Sequence, residues 1–280
     1  MSELSVSVIQ VSYGDDEAMA DRIERVAGMV RAEAGQDLVV LPELWPVGGF
    51  DVKHWAERAQ QVPAVGTVPA DGPDDPALAV VRAMSAAARD AGVHLHAGST
   101  VERSAEPGPE GKDLWNSSLV FGPDGALRAT YRKVHRFGFS SGEARTIEAG
   151  SDLVTVPIEG FTAHLATCFD LRFPEFFRAG LDAGADLLVI PAAWPMPRRE
   201  HWRTLLRARA IENQMPVIAC NTAGTHAGDH EMGGASVVVD AAGSVLAEAG
   251  DGEQVLRAVL DPAHTAQQRE DFPVLAARRW

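Results

Sequence analysis

The stretch GQDLVVLPELWP, residues 35–46, returns at residues 184–195 as GADLLVIPAAWP, with seven of the twelve positions identical. An apolar run of β-formers bounded by glycine and proline reads as a buried strand. The copies differ at one chemically decisive place, where the first carries Glu43 and the second Ala192. A buried strand has no structural use for a carboxylate at its end.

Similar elements surround both copies. Ahead of the first, LSVSVIQV (4–11) alternates as a strand. Met19, Ile23, Val26 and Val30 then recur at helical spacing to about Ala34, with Asp15 or Asp16 as cap and Gly35 as stop. Beyond it, Asp75-Pro76 opens a helix running to Gly92, and VHLHAGS (93–99) is a strand. NSSLVFGPDGALRATY (116–131) is a hairpin and LVTVP (153–157) another strand. The series restarts at Phe161: strand TAHLATC, helix FPEFFRAGLDAG with Pro174 near its start, strand DLLVIP, helix REHWRTLLRARAIENQ and strand PVIACN. A hairpin around 241–243 and a last strand, VLRAVL (255–260), close it.

Both halves read β-α-β-α-β-β-β-β. Such a unit covers one sheet face with helices and leaves the other apolar. Two units bury their bare faces against each other. The expected fold is an α/β four-layer αββα sandwich of two pseudo-symmetric halves in one domain, 1–280. Two independent α/β domains are the alternative, but no linker-like stretch separates the halves.

The net charge of −14 argues against nucleic acid or an anionic membrane surface as partner. No apolar run approaches the ~18 residues that span a bilayer. The N-terminus lacks a basic and apolar leader, and there are two cysteines, Cys168 and Cys220. A reducing cytoplasm is expected.

Cys168, in LATCFDLRFPE, ends a strand and precedes a helix. Backbone N–H groups there favour thiolate and can hold an oxyanion. A small buried hydrophobe is the other reading. Cys220, inside PVIACN, reads as structural. Glu43 follows a strand taken as the repeat partner of the Cys168 strand, so both groups belong to one cleft at strand carboxyl ends. Lys133, in TYRKVHRFGF, is a candidate partner for Glu43, or part of a solvated basic patch with Arg132 and Arg136. His94 and His96 share a strand face, and HAGDHE supplies His226, Asp229, His230 and Glu231. With no HExxH or CxxC pair, metal is not expected, and that loop reads as polar and exposed. No Walker or dinucleotide fingerprint is present, so no cofactor is expected.

LPELWP with Glu43, YRKVH with Lys133 and CFDLRFPE with Cys168 together resemble the nitrilase superfamily, the carbon–nitrogen hydrolases. The likeness spans nearly the whole chain and includes LWNSSLVFGPDG, ARAIENQMPVIACN and GGASVVVDAAGSVLAE. The phrasing is most similar to amidases of the omega-amidase branch. The resemblance implies the αββα sandwich. It implies Cys168 as nucleophile, Glu43 as general base, and Lys133 as stabiliser of the tetrahedral intermediate. Glu143, with Gly150 behind it, matches the family's second glutamate better than Glu148. The Phe169 N–H would serve the oxyanion beside Lys133. Hydrolysis of a small linear amide to acid and ammonia through a Cys thioester is expected, and a homodimer or larger homo-oligomer. Nitrile or N-carbamoyl hydrolysis by the same residues is the runner-up, and a silent binding protein of this fold the third reading. For substrate, Ala192, Ala193 and Trp194 are expected as a wall, and Arg136, Arg172 and Arg198 as partners of a distal carboxylate. Glu175 is the competing partner for Arg172.

Overall fold

The computed structural model describes residues 3–68, 75–139 and 141–279. Its strands are β1 (Leu4–Gln10), β2 (Leu38–Val40), β3 (His94–Arg103), β4 (Leu114–Phe121), β5 (Leu127–Arg132), β6 (Thr155–Ile158) and β7 (Phe161–Leu165) in the first part. They continue as β8 (Leu187–Ala192), β9 (Val217–Asn221), β10 (Thr225–His226), β11 (His230–Glu231), β12 (Val237–Val239), β13 (Val245–Glu248) and β14 (Gln254–Leu260). The helices are α1 (Met19–Arg31), α2 (Trp55–Arg58), α3 (Ala79–Ala91), α4 (Glu143–Thr146), α5 (Pro174–Asp182), α6 (Arg199–Asn213) and α7 (Pro262–Asp271).

Two six-stranded sheets result, ordered β14-β1-β2-β3-β4-β5 and β13-β12-β9-β8-β7-β6 among the described residues. Side-chain alternation along each repeated phrase explains the layering. Leu38 and Val40 of β2, with Leu187 and Val189 of β8, enter the core between the sheets. Val39 and Leu41 face α1 and α3, whose Ile23, Val26, Val30 and Met84 cover the first sheet. Leu188 and Ile190 face α5 and α6, through Phe177, Trp202, Leu206 and Ala210. The result is helix, sheet, sheet, helix. No helix among the described residues is long and apolar enough to cross a membrane.

The halves are not self-contained. The last strand of each crosses to the other's sheet: β14 pairs antiparallel with β1 from Leu4↔Leu260 to Gln10↔Gln254, and β6 pairs with β7. The repeat therefore matches β6-β7-β8-β9-β12-β13 to β14-β1-β2-β3-β4-β5. It also corrects the expected partner of the Cys168 strand: β7 corresponds to β1, whereas the Glu43 strand, β2, corresponds to β8.

Several local expectations change. Neither Asp15 nor Asp16 caps α1; its N-cap is Ala18, without a side-chain bond. Asp15 instead accepts the Ala227 and Gly228 N–H groups, each at 2.8 Å. The helix ends at Arg31, before the turn to Gly35. Asp75 does cap its segment, accepting the Ala77 N–H, and a 3₁₀ turn (Pro76–Leu78) leads into α3. The HAGDHE loop is not simply exposed: it forms the β10–β11 hairpin, with His226 buried and stacked on Tyr13 at 3.8 Å. The C-terminal Trp280 lies outside the described residues.

Candidate active site

Glu43, Lys133, Glu143 and Cys168 converge on one cavity of about 250 Å³ at the carboxyl ends of β2, β5 and β7. Glu43 and Cys168 are each delivered by a tight turn. After β2, Pro42 accepts the Ser99 N–H at 3.3 Å, an approach possible because Gly98 has no Cβ; one there would meet the Pro42 oxygen at 1.8 Å. The chain turns through Leu44, at φ 49°. After β7, Cys168 also takes φ 49°. Non-glycine residues in this region carry strain of roughly 1 kcal/mol, and such strain collects at functional sites.

Asp170 fixes the cysteine turn. Its buried carboxylate accepts from Tyr131 Oη at 2.7 Å, Thr167 N at 2.8 Å, and His135 N and Nδ1 at 2.9 and 2.8 Å. Lys133 is locked through its backbone: its N–H donates to Asn116 O, and its carbonyl accepts the Gly150 N–H, both at 2.9 Å. A Cβ on Gly150 would meet the Arg132 oxygen at 2.0 Å.

The side chains form a closed ring. Lys133 Nζ donates to Glu43 Oε1 and Glu143 Oε2, both at 2.7 Å. Asn116 Nδ2 donates to Glu43 Oε1 at 2.9 Å and Glu143 Oε1 at 2.6 Å. Ala193 N–H donates to Glu43 Oε2 at 2.8 Å, and Phe137 N–H to Glu143 Oε2 at 2.7 Å. Lys133 is 1% exposed and Glu43 2%. Burial works against the Lys133 charge, yet Glu143 and Glu43 outweigh it and hold the ammonium well above the usual lysine range. Burial pushes the Glu143 carboxyl up, and Lys133 offsets this only in part. The expected thiolate-favouring turn is corrected: burial and the adjacent Glu43 charge push the Cys168 thiol well up. A proton therefore stays on sulfur until a base removes it.

Phe169, Arg172, Ala193, Trp194 and Arg198 line the same cavity. Ala192 is the end of β8, and its carbonyl accepts the Glu43 N–H at 3.3 Å instead of facing the cavity. Arg172 lies over Trp194 at 4.6 Å, and Arg198 over Phe137 at 5.8 Å. Among the described residues neither arginine has a carboxylate within 4.0 Å, Glu175 included. Burial and the charge of Arg198 push the Arg172 guanidinium below its usual range. Arg136 departs from expectation. Glu110 takes its guanidinium through two 2.8 Å bonds, and it does not line the cavity. Glu148 is likewise committed elsewhere, accepting the Glu110 and Lys112 N–H groups.

Asn116 and Phe137 belong to the site and were not singled out in the sequence, and His230, singled out only in a metal reading, lines the cavity as well. For Asn116 the sequence offered no distinct signal, because Ser117 and Ser118 follow it in the same strand. His230, edge-on to Phe50 at 4.5 Å, is brought in by the unforeseen hairpin. Cys220 is buried elsewhere, its Sγ donating to Ile9 O at 3.2 Å.

Known proteins are similar to this chain over nearly its whole length. A 2-oxoglutaramate amidase of Paenarthrobacter nicotinovorans is 43% identical over 281 residues, covering 99% of this chain and 90% of that protein. Another, from Bacillus subtilis, is 34% identical, covering 96% and 95%. The solved structure of a CN-hydrolase superfamily protein from Xanthomonas campestris superposes with a TM-score of 0.86 at 30% identity, over 100% of this chain and 98% of that one. It carries an arsenic adduct in its active site. The family pattern described as carbon-nitrogen hydrolase matches residues 5–270, a span that takes in both sheets and all four convergent residues, and this chain is a member of that family.

Proposed function

We propose that this protein hydrolyses the terminal amide of a small dicarboxylic acid monoamide, releasing ammonia. The observation that carries the reading is the Glu43 carboxylate between the Lys133 ammonium and the Cys168 thiol. Glu43 Oε2 takes the thiol proton as sulfur attacks the amide carbon. The carbonyl oxygen becomes anionic and is held by Lys133 and the Phe169 N–H. Glu43 returns the proton to the nitrogen, the C–N bond breaks, and ammonia leaves a thioester on Cys168. Water then loses a proton to Glu43 and attacks the thioester. The C–S bond breaks, and sulfur regains the proton. Glu143 keeps Lys133 charged and aimed.

The substrate's second end is read from charge. The two glutamates and one lysine leave an excess of negative charge at the reacting end. A substrate carboxylate is repelled there and attracted to Arg172 and Arg198, whose charges have no carboxylate partner among the described residues. Trp194 and Phe137 flank the spacer between the ends. The relatives named 2-oxoglutaramate amidase support a 2-oxo acid amide as first candidate. The test is ammonia release from 2-oxoglutaramate, succinamate, neutral amides of equal length and matching nitriles, with Cys168→Ala as blank. Preference for neutral amides removes the carboxylate pocket. Faster turnover of nitriles replaces the amidase reading.

The reading includes a cytoplasmic homodimer or larger homo-oligomer. Two unpaired cysteines support the compartment, and exposed Phe272 and Val274 near the C-terminus support a covered surface. Light scattering that shows only the single chain's mass removes the dimer.

A further inference from the structure

We infer that Asn116 is a positioning residue that directs the Cys168 proton onto one oxygen of Glu43. The inference rests on the proposed roles of Glu43 and Cys168. A carboxylate oxygen has two lone-pair directions. On Glu43 Oε1 both are taken, by Asn116 Nδ2 at 2.9 Å and Lys133 Nζ at 2.7 Å. On Oε2 one is taken, by the Ala193 N–H at 2.8 Å. The remaining direction is the one left for the thiol proton. Lys133 alone would leave Oε1 half free, and the proton would have two destinations.

The amide's orientation is set by its neighbours. Asn116 is 1% exposed and sits in β4 opposite Val101, with its carbonyl held by the Lys133 N–H. Rotating the side-chain amide by half a turn would aim its oxygen at both carboxylates. The observed orientation leaves Oδ1 buried without a partner among the described residues. A buried unpaired oxygen is costly and needs a compensating gain. The two bonds from Nδ2, to Glu43 and Glu143, supply it. They also join two carboxylates that would otherwise repel each other through a neutral group that cannot titrate.

The titratable groups facing Glu43 are Lys133, Glu143, Cys168 and, more distantly, Tyr13. Arg172, Arg198 and His230 face it across the cavity. None of these replaces Asn116 as a donor to Glu43 Oε1 except Lys133, which is already bonded there. Removing the Asn116 donor therefore raises the proton affinity of the ring.

The test is the pH dependence of Cys168 alkylation by iodoacetamide, followed by peptide mass mapping to separate it from Cys220. Asn116→Leu removes both bonds. Asn116→Asp, of equal shape, replaces the donor with a third acid and carries the test should the leucine variant not fold. Both are expected to move the acid limb of the alkylation profile upward by about one pH unit, the weight of one hydrogen bond to a charged group. The acid limb of amide hydrolysis should move with it, kcat falling more than about ten-fold with KM little changed. A limb within about 0.3 of a pH unit of wild type in the folded variants overturns the inference, since a purely structural asparagine lowers the melting temperature without moving a titration. Alkylation needs no substrate. A wild-type protein that releases no ammonia would therefore sink the proposed function, while the limb still decides Asn116.

Discussion

The Glu43 N–H donates to the carbonyl of Ala192, the residue that takes its place in the second copy of the repeated phrase, and its carboxylate accepts the N–H of Ala193. The two copies thus meet at the position where they differ. An acid in both would place two carboxylates against each other in a buried site. The alanine leaves its main chain free to orient the one acid, and the asymmetry turns a symmetric junction into a site with one direction.

Cys168→Ala should abolish ammonia release while leaving the melting temperature within a few degrees of wild type. Cys220→Ala should lose about 1 kcal/mol of stability, measured by urea unfolding, and keep its turnover. Inactivation by the Cys220 change alone would place the nucleophile elsewhere.

Lys133→Ala should lower kcat by at least about 100-fold, with little change in KM, as expected for a donor to a developing oxyanion. It also leaves Glu43 and Glu143 buried together without their cation, so stability should fall by roughly 3 kcal/mol. Lys133→Arg should not recover the rate, because a planar fork cannot donate to both carboxylates and the oxyanion from the place of one ammonium. Steady-state kinetics with a folded arginine variant settle this.

Arg198→Ala and Arg172→Ala should each raise KM for carboxylate-bearing amides by about ten-fold or more, and leave neutral amides nearly unaffected. Arg136→Ala should do neither, since its charge is spent on Glu110 at the surface; its cost is at most about 1 kcal/mol of stability. Loss of carboxylate preference in the Arg136 variant would reverse the assignment.

Acid should destabilise the protein well before its carboxylates titrate. Burial pushes His96, His164 and His226 down from 6.5 to about 4. The unfolded chain takes up these protons at higher pH than the folded one. The stability carried by the neutral rings is complete above 6.5 and is lost as pH falls from 6.5 towards 4, up to about 3 kcal/mol for each. Thermal melts should be flat from pH 8 to 7 and fall steeply below 6.5. His226→Phe, which keeps the stack on Tyr13, should show a shallower fall; an unchanged slope would mean His226 does not contribute.

Much of this was written in the sequence. Strand alternation and the repeated phrase specified both sheets, because each apolar run is bounded by glycine and proline. The exchange of β6 and β14 was not legible: their alternation fits the edge of either sheet, and only the connections decide. α7 escaped notice because only Pro262 and Thr265 of it are buried, leaving no apolar stripe to read. Glu43, Lys133, Glu143 and Cys168 were legible as a set. The distal arginines were not separable from Arg136, because nearness to Lys133 in the chain says nothing about which way a side chain leaves a turn. Asn116 was hidden by its neighbours Ser117 and Ser118, which make it look like ordinary strand polarity.

The exchanged strands also bear on how such a chain could be divided. Residues 1–159 alone would hold β1 with no β14 beside it, and residues 160–280 would hold β7 with no β6, while each piece carried the strand the other lacks. Expressed as two fragments, neither piece could close its own sheets, while a mixture could restore both by mutual loan. A half-length forerunner, before any duplication, would have met the same demand by pairing with its own copy, each lending its last strand to the other.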